Sequence, residues 1–160
     1  MSALFPPPPR LGHLLRAVAR HDVPVRLGVP AGDTERRVWE IAFGLMVRRR
    51  FTPESPLAEI GRSVATAVNY HAAAALPALD AEMLVREALG EKVPVDDIDE
   101  TVRAGVHLLL SASLADELAM TDGELDGLVR QAEELAVAVS APPPEVEPET
   151  GEEEKEEEVS

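Results

Sequence analysis

Asp33-Thr34-Glu35-Arg36-Arg37-Val38-Trp39-Glu40-Ile41-Ala42-Phe43-Gly44-Leu45-Met46-Val47-Arg48-Arg49-Arg50 opens on acids, runs through apolar residues and closes on three arginines. Asp33 or Thr34 can cap a helix here, and Glu35 in the first turn complements the positive end of its dipole. Arg48, Arg49 and Arg50 suit the negative end. Between them, Val38, Trp39, Ile41, Ala42, Phe43, Leu45, Met46 and Val47 leave almost no polar face. A helix apolar on every side is a buried helix, so the run from Glu35 to Arg50 is expected at the centre of a helical bundle.

The flanking sequence supplies the helices to surround it. Leu11, Leu14, Leu15 and Val18 recur at helical spacing, and Asp22-Val23-Pro24 ends that first helix. Ser55-Pro56 is a helix start, and Leu57, Ile60, Val64, Ala67 and Val68 form the stripe of a helix reaching about Ala75. Asp80 can cap a fourth helix over 81–89, closed by Gly90. Asp96 or Asp97 can cap a fifth, running to about Ala119 with Ile98, Val102, Val106, Leu109, Leu110, Leu114 and Leu118 on one side. Thr121-Asp122-Gly123-Glu124 reads as a capping box that starts a sixth. The expected fold class is therefore all-α: an irregular five- to six-helix bundle over residues 11–140. A Pro-rich arm precedes it (1–10), and a disordered Glu-rich tail follows it (141–160), too polar to offset its ordering entropy.

Charge is zoned along this plan. Residues 1–50 hold nine arginines against four acids, residues 51–140 five bases against seventeen acids, and residues 141–160 one lysine against nine glutamates, giving −15 in all. Such zoning bears on partners, solubility and association rate rather than on fold. The 45% hydrophobic content supports a folded body, and with only 3% aromatics that content is mainly Ala, Leu and Val. The absence of cysteine excludes a disulfide scaffold, a thiolate zinc site and a cysteine nucleophile. Four consecutive prolines stand where a signal peptide would need an apolar run, and Ile41 to Val47 is far short of a bilayer span. A cytoplasmic protein is expected, with no membrane partner; thirteen arginines among fifteen basic residues, with abundant Ala, Pro and Val, suggest a high-GC bacterial genome.

No constellation of catalytic residues stands out, and no cofactor is expected. Asp122, Glu124, Asp126 and Glu133 fall at positions 1, 3, 5 and 12 of a calcium loop, with Gly127 at position 6, and make the candidate metal set. The same residues also read as a capped amphipathic helix, which is the favoured reading. Asp122-Gly123-Glu124 followed by that helix resembles tellurite-resistance TerB domains over about a dozen residues. Asp96-Asp97-Ile98-Asp99-Glu100 resembles the metal–diphosphate motif of helical prenyl-transferring enzymes, although such enzymes use two motifs on a longer chain and acids at a helix N-terminus suit its dipole. Leu57 to Arg62 resembles the first helix of a helix-turn-helix, but Thr66 to Ala75 carries no Arg or Lys to contact phosphate, so nucleic acid is not expected as a partner.

The remaining candidate is a basic patch of Arg36, Arg37, Arg48, Arg49 and Arg50. The function this favours is a non-enzymatic interaction module — an adaptor, assembly factor or chaperone-like domain — that binds a protein partner while the acidic tail steers or solubilises. A small-molecule substrate is not expected. The alternatives are an acidic metal-binding sensor or small enzyme built on residues 122–133 or 96–100, and an acidic mimic of nucleic acid or a weak helix-turn-helix regulator.

Overall fold

The computed structural model describes residues 13–19 and 32–140. The Pro-rich arm and the Glu-rich tail lie outside the described residues. Within them the chain is all-helical: α1 (His13–Ala19), α2 (Asp33–Arg50), α3 (Leu57–Tyr70), α4 (Ala78–Ala88), α5 (Glu100–Glu117) and α6 (Asp122–Ser140).

Two helices lie side by side at the centre. The Arg36 guanidinium lies 3.9 Å from the Glu100 carboxylate, the Phe43 and His107 rings are 4.9 Å apart, and Arg50 Nε donates to Glu117 at 3.0 Å. These contacts come in the same order along both elements, so α2 and α5 run parallel. α6 packs on α2; α1 packs on α5 and α6; α3 and α4 form a helical hairpin over α5 and α2.

The two central helices are not equally buried. Every residue from Gly105 to Ala115 of α5 is buried. α2 buries Val38, Trp39, Ala42, Phe43, Gly44, Met46 and Val47, but Arg37, Glu40, Arg48 and Arg49 are exposed. The centre therefore belongs to α5 more than to the expected α2. The reason is size: Gly105, Ser111, Ala112 and Ser113 are small enough to be enclosed between neighbouring helices.

The ends of the helices follow local chemistry. The capping box forms as read, with the Thr121 N–H donating to Glu124 Oε1 at 2.8 Å and the Glu124 N–H to Thr121 Oγ1 at 3.1 Å. Gly90 adopts φ +95°, the left-handed conformation expected of it after α4. At α5 the cap is Asp99, which accepts from the Thr101 N–H at 2.9 Å, rather than Asp96 or Asp97. α2 begins one residue after Gly32, so Asp33 lies inside the helix and does not cap it. α4 begins after Pro77, with Asp80 in its first turn. Neither Ser55 nor Pro56 provides a side-chain cap to α3; Ser55 Oγ accepts from the Thr52 N–H instead. α3 stops at Tyr70, five residues early. A 3-10 turn over Ala72–Ala74 follows, and Ala75 turns left-handed at φ 53°. Pro77 disfavours a helical Leu76, which limits how far the alanines could carry a helix on.

Candidate functional site

The five arginines do not form one patch. Arg36 and Arg37 lie in the second turn of α2 and Arg48, Arg49 and Arg50 in its last, about 18 Å apart along the axis at 1.5 Å per residue. At the first end, Arg36 donates to Asp33 at 3.3 Å and faces Glu100, while Arg37 is exposed. These residues border a cleft of about 270 Å³ between the starts of α2 and α5, lined also by Glu40, Arg103 and His107. Its three guanidinium groups meet three carboxylates, so it carries no net charge. His107 is 4% exposed, and burial, with the nearby Arg103 charge adding to it, pushes its pKa down to about 3. It is a neutral imidazole at any physiological pH.

At the other end, Arg50 is a structural clasp. It donates to Glu59 of α3 at 2.9 Å and to Glu117 of α5 at 3.0 Å, and its guanidinium carbon lies 4.6 Å from the centre of the Phe51 ring. Hydrogen bonding to Glu59, and after it to Glu117, holds the Arg50 pKa above its ordinary value. Glu117 also accepts from Ser63 Oγ at 2.7 Å, so three helices meet on one carboxylate. Arg48 donates to the Ala88 carbonyl at 3.3 Å and lies over Gly44, where a Cβ would come within 3.0 Å of its Nη1. Of the last three arginines, Arg48 and Arg49 present an exposed side chain.

Asp122, Glu124, Asp126 and Glu133 all fall on α6. On a helix, positions two apart point about 200° away from one another, so the carboxylates do not converge as they would in a loop. Glu124 is held in the capping box. Asp126 and Glu133 share a cation from the far end of the chain: Arg16 Nε donates to Asp126 at 3.2 Å, and Arg16 Nη1 and Nη2 donate to Glu133 at 3.2 and 3.3 Å. Among the described residues no group of three or more His, Asp or Glu side chains is gathered to hold a metal ion. In the other acidic cluster, Asp99 caps α5 and Glu100 faces Arg36, while Asp96 and Asp97 are exposed. Leu57 to Tyr70 is a single uninterrupted helix, with no turn between Arg62 and Thr66.

The surface that sequence reading passes over is apolar. Leu57 is 58% exposed, Tyr70 57% and Leu79 66%, and all three belong to the α3–α4 hairpin. Ala58, Arg62, Ala65, Thr66 and Asn69 are exposed between the first two and share one side of α3 at helical spacing. Ala72, Ala73, Ala75 and Ala78 extend this surface over the tip. The sequence signal for it is a gap in charge: residues 57–79 hold one acid, Glu59, and one base, Arg62, while residues 80–140 hold fifteen acids and four bases.

The fold thus defines an all-α bundle in which one side of α3 is exposed and carries a single charge, Arg62. No described helix is long and apolar enough to cross a membrane. Compared with known proteins, the chain matches no family model, no curated protein and no solved structure. The resemblance to TerB domains therefore rests on its dozen residues alone.

Proposed function

We propose that this chain is a non-enzymatic, cytoplasmic protein-interaction module that docks another polypeptide on the outer face of the α3–α4 hairpin. The observation that carries this reading is the exposure of Leu57, Tyr70 and Leu79 on one hairpin with a single charge, Arg62, on the helix side between Leu57 and Tyr70. Contiguous exposed apolar surface on a soluble protein marks interaction sites. The arginines, the interaction patch expected from sequence, support this reading less well, because Arg36 and Arg50 are occupied by carboxylates. The acidic tail serves solubility and long-range steering, an effect that salt screens within about 8–10 Å.

Affinity capture from the native host with tagged full-length protein tests this. A stoichiometric polypeptide should survive moderate salt with the wild type and be lost with Tyr70→Ser and with Leu79→Glu, each shown to be folded by circular dichroism. A partner retained equally by both variants removes the hairpin as the docking surface.

A further inference from the structure

We infer that the cleft between the starts of α2 and α5 binds a small dipolar ion of the α-amino-acid class, its carboxylate taken by Arg36 and Arg37 and its ammonium by Glu40. The cleft involves none of the hairpin residues. It lies where two parallel helices turn polar faces toward each other. Arg36, Arg37 and Glu40 share one face of α2, and Glu100, Arg103 and His107 share one face of α5, at spacings of three or four residues. Ala104, the smallest lining side chain, leaves room between them. The volume of about 270 Å³ equals about nine waters at ~30 Å³ each, enough for a molecule of roughly ten heavy atoms.

Two buried polar groups at this cleft lack partners. His107 lines it and is 4% exposed, and neither ring nitrogen hydrogen-bonds to any of the described residues. Arg36 Nε is buried with no hydrogen-bond partner. Buried polar groups are nearly always satisfied, so these two call for a partner from outside the chain. The neutral His107 ring offers that partner one donor and one acceptor.

Charge selects the ligand. A molecule of net charge −15 repels a small anion, and three guanidinium groups around the cleft oppose a cation. A dipolar ion meets neither objection. Arg37 and Glu40 are neighbours on the surface of α2, yet neither has an ion-pair partner among the described residues, each other included. A positive and a negative group thus stand side by side, and a carboxylate and an ammonium on one carbon answer both. Arg36 is paired with Asp33 and Glu100, whose carboxylates are largely exposed and can turn to solvent as a ligand carboxylate takes their place. Arg103 is a fixed wall, donating to the Val95 carbonyl at 2.6 Å and lying 3.9 Å from Glu87.

Titrating the full-length protein with each of the common amino acids, followed by NMR of the His107 ring, tests this. The ring signals are identified by their loss in His107→Gln. At least one amino acid should shift them saturably, with a dissociation constant of about 1 mM or tighter. Its N-acetyl and methyl ester derivatives, each lacking one of the two charges, should bind at least ~10-fold more weakly. Arg37→Ala and Glu40→Ala, both at exposed positions and checked for folding by circular dichroism, should each weaken the parent amino acid by a similar factor. No saturable shift with any amino acid up to about 20 mM overturns the proposal. An N-acetyl derivative that binds as well as its parent overturns the recognition of a dipolar ion. Variants that both bind like the wild type place the ligand elsewhere and overturn the site.

Discussion

α3 and α5 are built from similar material and meet opposite fates. Both carry three Ala and two Val and are poor in charge along their middle turns. Around α5 stand α1, α2, α3 and α4, and its residues from Gly105 to Ala115 are enclosed. α3 is covered on one side, where Ile60, Ser63, Val64 and Ala67 are buried, and its other side faces solvent. Low polarity in a helix therefore reports burial only when enough neighbours exist to supply it. Where they do not, the same composition is left facing solvent.

Substitution should separate the two helices sharply. Leu109 of α5 is fully buried, and Leu109→Ala should cost about 2–5 kcal/mol of stability, read as a lowered urea midpoint. A cost under about 1 kcal/mol would show that α5 is less enclosed than described.

The pH response sharpens the contrast, because α5 buries a titratable ring. His107 holds its proton only below about pH 3 when folded, whereas the unfolded ring binds one near pH 6.5. Above that value both states are neutral and this group takes nothing from stability. As pH falls below about 6.5 the unfolded chain gains a proton that the folded chain refuses, and stability should drop by about 1.4 kcal/mol per pH unit. Between about pH 6.5 and 5 the urea midpoint of the wild type should slope more steeply than that of His107→Gln. Equal slopes would mean that His107 can be protonated in place.

The smallest effect belongs to the hairpin. Leu79→Ser should change monomer stability by no more than ~0.5 kcal/mol, as expected of an exposed site. A loss of several times that amount would show that Leu79 is a core residue of the hairpin and would weaken its assignment to a docking face.

Much of this architecture is readable from local signals. Thr121 and Glu124 announce α6, Gly90 closes α4, and the apolar run of α2 does belong to the core. The failures share a physical cause, which is that they depend on distant neighbours. Ser111 and Ser113 are polar residues that no local signal marks for burial, yet both are enclosed in α5, which four helices pack against. Asp126 and Glu133 look like cation ligands, and they are engaged by a cation, but it is Arg16, more than one hundred residues away in the chain. No spacing rule links those positions. The exposed side of α3 is legible in principle, since charge is scarce between Leu57 and Leu79, but scarcity of charge is equally the mark of a buried helix.

The clamp of Arg16 on α6 has a consequence for how the molecule is made. α1 is seven residues long, too short to persist as an isolated helix in water, and it packs against α5 and α6. A ribosome adding about 5–20 residues per second needs several seconds or more to travel from α1 to Glu133. Until α5 has been made, Leu15 and Val18 have no core to enter, and the clamp on Glu133 comes later still. The first helix of the bundle is thus synthesised well before the helix that clamps it, and Glu133 must be made before Arg16 can find its place.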